Sequence, residues 1–354
     1  MSEQNERNEA VTADNLHGEN LNDRVKVLSP TMTVMKRFFR SKLSVAGLVI
    51  LVVLFVFSFI GPLLSPWGEM EADNRSKWSK SDLPLEYTVT YTDENGVTHS
   101  EKQSGVDTST FLSEYYIKGE MSSRHWLGTD ETGKDLFTRL MYGGRISLTL
   151  GLIVVFLETA LGVLLGGLAG YFGKWVDQVI MRVVDVLYCI PQLPIMLILS
   201  ATFTSLGITD IRRLYFMMGF LTLLGWAGTA RLVRGQILSL REQEFMLAAQ
   251  CAGLSTRRKI FKHLIPNVLP QLIVSMTLGL GSIILTEATL GFLGLGAPLG
   301  TATWGSLINY ATKTEYLGSF HFWVPPGICI TLAILAFNFV GDGLRDAFDP
   351  KAKR

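Results

Sequence analysis

Six apolar stretches constrain this chain more than any other feature of its sequence. They run approximately over residues 44–64, 146–171, 179–206, 214–233, 268–290 and 322–344. Each is long enough to cross a hydrocarbon layer of about 30 Å, which takes about 20 helical residues. The chain is 48% hydrophobic and only 18% charged, whereas about a quarter of the residues in soluble domains are charged. The sequence therefore predicts an all-α polytopic membrane protein with about six transmembrane helices.

Two of these stretches contain residues that predict, respectively, a break in a helix and close packing between two helices. The third holds Pro191 and Pro194, and proline removes a backbone donor from a helix, so we expect a kink or break there. The second holds small residues at intervals of four, which favour close approach of two membrane helices. These are Gly162, Gly166 and Gly170, together with Gly167.

The positions of Lys and Arg predict the orientation in the membrane. With the N-terminus inside, the inner segments hold twenty of these residues and the two short outer loops hold three. The long outer segment 65–145 is not counted, because the rule applies to loops of up to about 60 residues. Both termini are therefore predicted to be cytoplasmic. Residues 1–43 form an N-terminal tail without a signal peptide, 44–64 the first transmembrane helix, and 346–354 a C-terminal tail.

Residues 65–123 are predicted to form a small extracytoplasmic insertion. The stretch Leu85–Tyr91 alternates in the manner of a strand, and Asn95-Gly96 separates it from a second β-prone run. Asn-Gly between two such runs is typical of a β-hairpin. Two roles stay open for this insertion: it helps to dock an external binding protein, or it is a solvated embellishment.

Several classes of function are disfavoured. A net charge of +1 argues against an electrostatic nucleic-acid binder. Cys189, Cys251 and Cys329 lie far apart, and the five histidines are scattered, so neither a disulfide framework nor a metal site is expected. Residues 128–135 come close to the phosphate-binding GxxxxGK[ST] pattern, but Asp135 replaces the hydroxyl residue that reaches Mg²⁺. We therefore expect no ATPase site in this chain.

The segment 241–266, between the fourth and fifth apolar stretches, is predicted to be a cytoplasmic helix–turn–helix. Apolar residues around Ala248 indicate a first short helix, which Gly253 can end by adopting a positive φ. Ile260 and Leu264 recur at helical spacing in a second short helix, and Pro266 is expected to start the next structural unit. From the residues alone two roles stay open: a knob for a partner's groove, or a loop whose basic residues bind lipid headgroups.

This segment resembles the EAA loop of ABC importer permeases, whose pattern is Glu-Ala-Ala, three residues, Gly, nine residues and Ile-x-Leu-Pro. Leu247 stands where the pattern has Glu, and Glu244, one turn earlier, is a candidate substitute. His263 and Ile265 replace the pattern's Ile and Leu. The residues that match at the required offsets are Ala248, Ala249, Gly253 and Pro266.

Further stretches narrow the resemblance to the C-type subunit of the dipeptide/oligopeptide permeases. Residues 125–148 are similar to that family's HPLGTDxxGRDxxSRxxxGxRxS element, and residues 336–350 resemble its closing signature. Residues 287–296, followed by Trp304-Gly305, are also family-like. The motifs stand in order from about residue 124 to the C-terminus, so the 65–123 insertion and the N-terminal tail lie outside the resemblance.

The resemblance implies an ABC importer permease fold over residues 124–345 and a role as half of a translocation path for di- or oligopeptides. It implies a second homologous permease, two cytoplasmic ATPase subunits and an extracytoplasmic solute-binding (lipo)protein as partners, in a bacterial or archaeal cell membrane. The chain itself is expected to be no enzyme and to bind no cofactor, since ATP and Mg²⁺ are used by the ATPases. The implied coupling residues are Glu244, Ala248, Ala249, Gly253, Arg257, Arg258 and Pro266.

Three carboxylates lie within the apolar stretches, namely Glu158, Asp185 and Glu287. Ionisable groups at membrane depth face a bundle interior or an aqueous cavity. For Glu287, hydrogen bonding between helices is favoured over lining the conduit, and for Glu158 and Asp185 both roles stay open. An ion-coupled secondary transporter of small solutes, which would use such carboxylates, is the alternative function. It predicts inverted repeats with paired broken helices, a pattern that this sequence does not display.

Overall fold

The structure is a computed structural model, and the residues that it describes are 30–72, 87–92, 98–103, 121, 123–130, 133–208, 211–297, 300–312 and 319–349. This part of the chain is almost entirely helical. The α-helices are α1 (Pro30–Arg40), α2 (Lys42–Phe59), α3 (Gly61–Leu64), α4 (Leu136–Phe172), α5 (Lys174–Cys189), α6 (Gln192–Ser205), α7 (Ile211–Arg241), α8 (Glu244–Cys251), α9 (Thr256–Arg258), α10 (Ile265–Phe292), α11 (Trp304–Ile308) and α12 (Phe320–Phe348). A π-helical turn, Lys259–Leu264, joins α9 to α10, and a 3-10 turn, Asn309–Thr312, follows α11.

Five helical segments are long and apolar enough to cross a membrane. They are α2, α4, α7, the continuous run Thr256–Phe292 and α12. The pair α5 and α6 passes the same test jointly, with a bend of 77° between its two halves, and makes a sixth span if the pair crosses once. The bend lies at Ile190 and Pro191, so the predicted break in the third stretch is confirmed.

The close approach of α4 and α7 explains the glycines of the second stretch. A Cβ atom at Gly162 would lie 2.5 Å from Cβ of Thr229, and one at Gly166 would collide with the backbone of Ala230. A Cβ at Gly170 would lie 3.0 Å from the backbone oxygen of Arg234. Because only glycine has no Cβ, these positions allow the two helices to pack backbone against backbone, as the four-residue spacing predicts.

Both ends of α4 have their free backbone groups satisfied by side chains. At the N-terminus, the carboxylate of Asp135 accepts a hydrogen bond of 2.7 Å from the backbone N–H of Thr138. At the C-terminus, the guanidinium of Arg241 donates to the backbone oxygen of Tyr171 at 3.0 Å. Helix ends leave such groups without partners inside the helix, so both contacts stabilise α4.

The other long helices assemble around α4. One core cluster joins α2, α4, α10 and α12, and its centre is the fully buried ring of Trp304. The indole N–H of Trp304 donates to the backbone oxygen of Leu140 at 3.1 Å. A second cluster joins α4, α6, α7 and α10. By contrast, α5 has a single buried residue, Val184, and is the most weakly covered of the long helices.

Two antiparallel strands lie within the predicted insertion. They are β1 (Tyr87–Thr92) and β2 (Thr98–Gln103), and Tyr87 pairs with Gln103 and Thr92 with Thr98. The residues between them, including Asn95-Gly96, lie outside the described residues, so the predicted hairpin turn stays a prediction. The start of the insertion is tied to the helical body, because the carboxylate of Glu69 accepts a hydrogen bond of 3.0 Å from the backbone N–H of Ala302.

Candidate functional site

The bent loop, residues 241–266, begins with a short helix anchored on one side only. In α8, Met246 and Ala249 are buried, and Met246 packs with Val233, Ile237 and Leu264. The buried positions are three residues apart, so a single face of α8 is fixed to the body. The remaining faces of the helix are free to meet another protein.

Gly253 produces the bend of this loop. Its φ is +64°, a conformation in which glycine has no steric penalty. Its N–H donates to the backbone oxygen of Gln250 at 2.9 Å, and the N–H of Leu254 donates to that of Ala249 at 3.2 Å. These two bonds form a Schellman motif, which ends a helix and turns the chain away. The positive φ predicted for Gly253 is confirmed.

The second arm of the bent loop is not a separate short helix. From Thr256 the chain is helical without interruption to Phe292, and Ile260 and Leu264 are buried along it. Pro266 stands in the first turn of α10, as expected, but α10 continues the preceding helical run without a break. In the π-helical turn the N–H of Ile265 donates to the backbone oxygen of Ile260, five residues earlier. This shift of the hydrogen-bond pattern places Pro266 near the start of α10, where a missing N–H is tolerated.

Apolar side chains of the bent loop are exposed rather than buried. The exposed fractions are 37% for Phe245, 54% for Leu247 and 59% for Phe261. Ala248 and Pro266 are exposed beside them. An exposed apolar patch next to charged residues is typical of a surface that binds another protein.

The charged residues of the loop surround this patch. Glu244, Arg257 and Arg258 are exposed, and no ion pair within the described part of the chain holds any of them. Exposed charges that have no internal partner can take part in recognition of a partner by complementary charge. The loop is thus fixed in shape by its buried side and leaves its apolar and charged groups accessible.

Glu287 is buried among helices. It is 6% exposed, and its carboxylate accepts a hydrogen bond of 2.8 Å from the hydroxyl of Ser147 on α4. The same hydroxyl accepts a bond of 3.2 Å from the backbone N–H of Trp304. A Cβ at Gly305 would lie 2.8 Å from Cα of Ala288, so the segment that follows Trp304 packs directly on α10. Glu287 therefore links α10 to α4 and α11.

Glu158 is enclosed between α4 and α7. Its Oε1 atom is buried and accepts no hydrogen bond from the described residues. Any side chain at Gly225 would collide with this carboxylate, so the glycine provides the space that Glu158 occupies.

Asp185 is one of two acidic residues on α5 that pair with arginines of α7. Arg231 donates to its carboxylate at 2.9 Å, and the two side chains are 50% and 54% exposed. Nearer the start of α5, Arg234 binds Asp177 through two hydrogen bonds, and this second pair is only 32% and 17% exposed. Sequence reasoning missed both arginines as partners, because it counted them only as inner positive charge.

A second motif, the capping motif of residues 125–139, forms buried polar contacts within the chain. His125 Nδ1 lies 3.0 Å from the carboxylate of Asp135, which also caps α4. Asp130 forms an ion pair with Arg139, and both are buried. Arg139 also donates to the hydroxyl of Tyr310 at 3.2 Å. Asp135 thus occupies the N-terminus of α4, the end of a helix that attracts anions.

The comparisons with known proteins agree with the sequence motifs. Residues 162–354 match the model of the family described as binding-protein-dependent transport system inner membrane component. Residues 29–81 match the model of the N-terminal transmembrane domain of oligopeptide transport permease C.

Individual relatives extend the match over most of the chain. The dipeptide transport system permease protein DppC of Bacillus subtilis is 37% identical over 330 residues, which cover 92% of this chain and 88% of the relative. The oligopeptide transport system permease protein OppC of the same organism is 32% identical over 330 residues, with 93% and 92% covered. The DppC protein of Alkalihalophilus pseudofirmus is 34% identical over 334 residues, with 94% and 93% covered.

Proposed function

The chain belongs to the family of binding-protein-dependent transport system inner membrane components, and on that basis we propose that it is the C-type permease subunit of an ATP-driven peptide importer. It is a multi-pass membrane protein, and its relatives are named as permeases for dipeptides and oligopeptides. In this function the chain provides half of the path that a peptide follows across the membrane.

The observation that carries the proposal is the geometry of the bent loop. It is rigidly attached through Met246 and Ala249, turned by Gly253, and exposes Leu247 and Phe261 with no cover in the described chain. A loop that is attached to the protein body on one side and exposes apolar side chains on the other is suited to bind a separate protein. We assign that partner as the ATPase subunits, with Glu244, Ala248, Arg257, Arg258 and Pro266 at the contact.

The proposed assembly has this chain beside a second, homologous permease, two cytoplasmic ATPase subunits and an extracytoplasmic solute-binding protein. ATP and Mg²⁺ act in the ATPase subunits, and this chain serves as a transport subunit in a bacterial or archaeal cell membrane. Both termini are placed in the cytoplasm on the basis of the Lys and Arg distribution. The 65–123 insertion then lies outside, with 124–345 as the permease domain, and its paired strands β1 and β2 support a hairpin there.

The proposed mechanism is alternating access. ATP binding draws the two ATPases together, and the bent loop transmits their movement to α7 and α10, which it joins directly. The path then opens outward to receive peptide, and hydrolysis resets it. A ligand shifts such an equilibrium only through different affinity for the two states. The loop must therefore remain bound to the ATPases throughout the cycle.

Reconstitution of the complete importer tests this function against ion-coupled transport. The complex is placed in proteoliposomes with the binding protein, and uptake of a labelled tripeptide is measured with and without ATP on the ATPase side. We expect uptake that needs ATP and continues when an ionophore collapses ion gradients. Uptake that proceeds without ATP and stops with the ionophore would overturn the proposal.

A further inference from the structure

Helix α5 carries a stripe of polar side chains that the described chain does not cover. Gln178, Arg182, Asp185 and Cys189 recur at intervals of four, three and four residues, which places them on one face of the helix. All four are exposed. Yet α5 belongs to the bent pair that is long and apolar enough to cross a membrane. We name these four residues the polar stripe.

A neighbouring side of α5, about 100° round the helix from the polar stripe, has the character expected beside lipid. Val179, Val183 and Val186 are 44%, 47% and 57% exposed, and they follow one another along that side. A helix that is apolar on one side and polar on the other lies between two different surroundings. Valines suit hydrocarbon, whereas the polar stripe needs water or polar partners.

The centre of the polar stripe is the ion pair between Asp185 and Arg231. About half of each side chain is exposed, and the guanidinium of Arg231 also lies 4.5 Å from the ring centroid of Tyr188. Charged groups in spanning segments face a bundle interior or a water-filled cavity, because hydrocarbon disfavours them strongly. Since this pair does not face the interior of its own chain, we expect water on its open side.

The break between α5 and α6 gives an independent reason for water on this face. The helix is interrupted at Pro191, directly after Cys189 and Ile190, and Pro191 and Gln192 are exposed. Interrupted backbone at membrane depth is tolerated only where protein buries it or where it lines a water-filled cavity. The described chain does not bury it.

We infer that the polar stripe lines the peptide path, and that Asp185 and Arg231 contact the two charged ends of the passing peptide. This inference rests on the proposed function. A peptide with free ends carries an ammonium group, which complements Asp185, and a carboxylate, which complements Arg231. Tyr188 holds the guanidinium from its other side. The ends of an extended tripeptide lie about 10 Å apart, whereas the pair is 2.9 Å apart, so the two ends meet Asp185 and Arg231 in turn. Each charge returns to its neighbour when the peptide leaves, which keeps the contact weak enough for release.

The pair between Asp177 and Arg234 provides a matched control on the same two helices. It has the same chemistry, but it is less exposed and doubly hydrogen-bonded. It is therefore the pair that holds α5 to α7. Substitutions there should affect assembly or uptake of all peptides to the same degree.

The experiment compares tripeptides with free ends, with an acetylated N-terminus and with an amidated C-terminus, in the reconstituted complete importer. The same binding protein delivers peptide to every variant. A change in the ratio of uptake rates between two peptides must therefore come from the permease. Asp185→Asn should reduce the preference for a free ammonium about fivefold and leave the carboxylate preference unchanged. Arg231→Gln should reduce the preference for a free carboxylate about fivefold and leave the ammonium preference unchanged. Asp177→Asn and Arg234→Gln should leave both ratios unchanged.

The results separate this inference from the function on which it rests. If the unsubstituted complex imports no peptide, the proposed function fails. If it imports peptide and both Asp185→Asn and Arg231→Gln lower uptake of the three peptides equally, or not at all, the inference is overturned. The crossed change of preference is the supporting result, because loss of a merely structural ion pair does not distinguish the two ends of a peptide.

Thiol labelling locates the stripe without relying on transport rates. In a Cys251→Ser background of the complete importer, Cys189 is compared with Val183→Cys, which lies about 120° round the helix on the valine side, in a chain that also carries Cys189→Ser. A charged, membrane-impermeant thiol reagent should modify Cys189 roughly tenfold faster, because such reagents need a thiolate in water. Equal rates, or an unreactive Cys189 covered by the second permease, would overturn the inference.

Discussion

The capping motif and the bent loop differ in where their side chains find partners. In the capping motif, Asp135 and Asp130 bind His125, the N-terminus of α4 and Arg139, all within the chain. In the bent loop, Leu247 and Phe261 are more than half exposed. Both stretches are equally recognisable as family motifs, yet one has its polar partners inside the chain and the other leaves apolar side chains exposed. A family motif therefore does not by itself indicate a binding surface, and burial distinguishes the two cases.

The largest effect is expected from breaking the capping motif. Arg139→Ala removes one partner of a buried ion pair, and such losses cost about 3–5 kcal/mol because the remaining charge stays buried. The midpoint of thermal unfolding of the purified complex should fall by roughly 5–10 °C. Tryptophan fluorescence measured during heating gives this midpoint.

Arg145→Ala is the control for this substitution. Arg145 belongs to the same family element, but its side chain is exposed, with the guanidinium carbon 5.9 Å from the ring centroid of Phe59. The exposed arginine should contribute less than about 1 kcal/mol. Equal unfolding midpoints for the two variants would contradict a structural role for the capping motif.

A smaller energetic change in the bent loop should abolish function without unfolding the chain. Gly253→Val places a β-branched residue at a φ of +64°, which costs about 1–2 kcal/mol and disfavours the bend. We expect normal membrane insertion, at least a tenfold loss of ATPase co-purification and loss of peptide uptake. Affinity purification of the tagged permease and the uptake assay measure these effects.

Gly207→Val is a matched control elsewhere in the chain. Gly207 has a φ of +71°, and an added Cβ meets nothing within 4 Å at either glycine. Both substitutions therefore introduce similar backbone strain in open space. If Gly207→Val lost the ATPases to the same extent, or if Gly253→Val kept normal uptake and co-purification, the bent loop would have no coupling role.

The sequence predicted those features that depend on the backbone of a single residue. Pro191 lacks an N–H and breaks the third span, and Gly253 accepts a positive φ and bends the loop. The pairing of Asp185 with Arg231 spans 46 residues and depends on how α5 packs against α7, which periodicity does not encode. The sequence marked the start of α10 at Pro266 but missed, for a related reason, that the helical run continues across it. A π-helical turn before Pro266 compensates for its missing N–H, so the chain stays helical on both sides of the proline.

The smallest effect is expected at the one position where the bent loop departs most clearly from the family pattern. Leu247→Glu restores the acidic residue of that pattern at a side chain that is 54% exposed and makes no internal bond that folding needs. If the shape of the loop determines docking, the new carboxylate should change ATPase co-purification by no more than about twofold, because exposed charges contribute little. The thermal unfolding midpoint should not change, which separates this loop from the capping motif.

Ala248→Glu supplies the control, since it introduces the same charge one residue further on, where the pattern requires a small side chain. It should reduce co-purification at least about tenfold by steric exclusion from the partner's groove. Equal losses for Leu247→Glu and Ala248→Glu would show that charge, rather than shape, governs the contact.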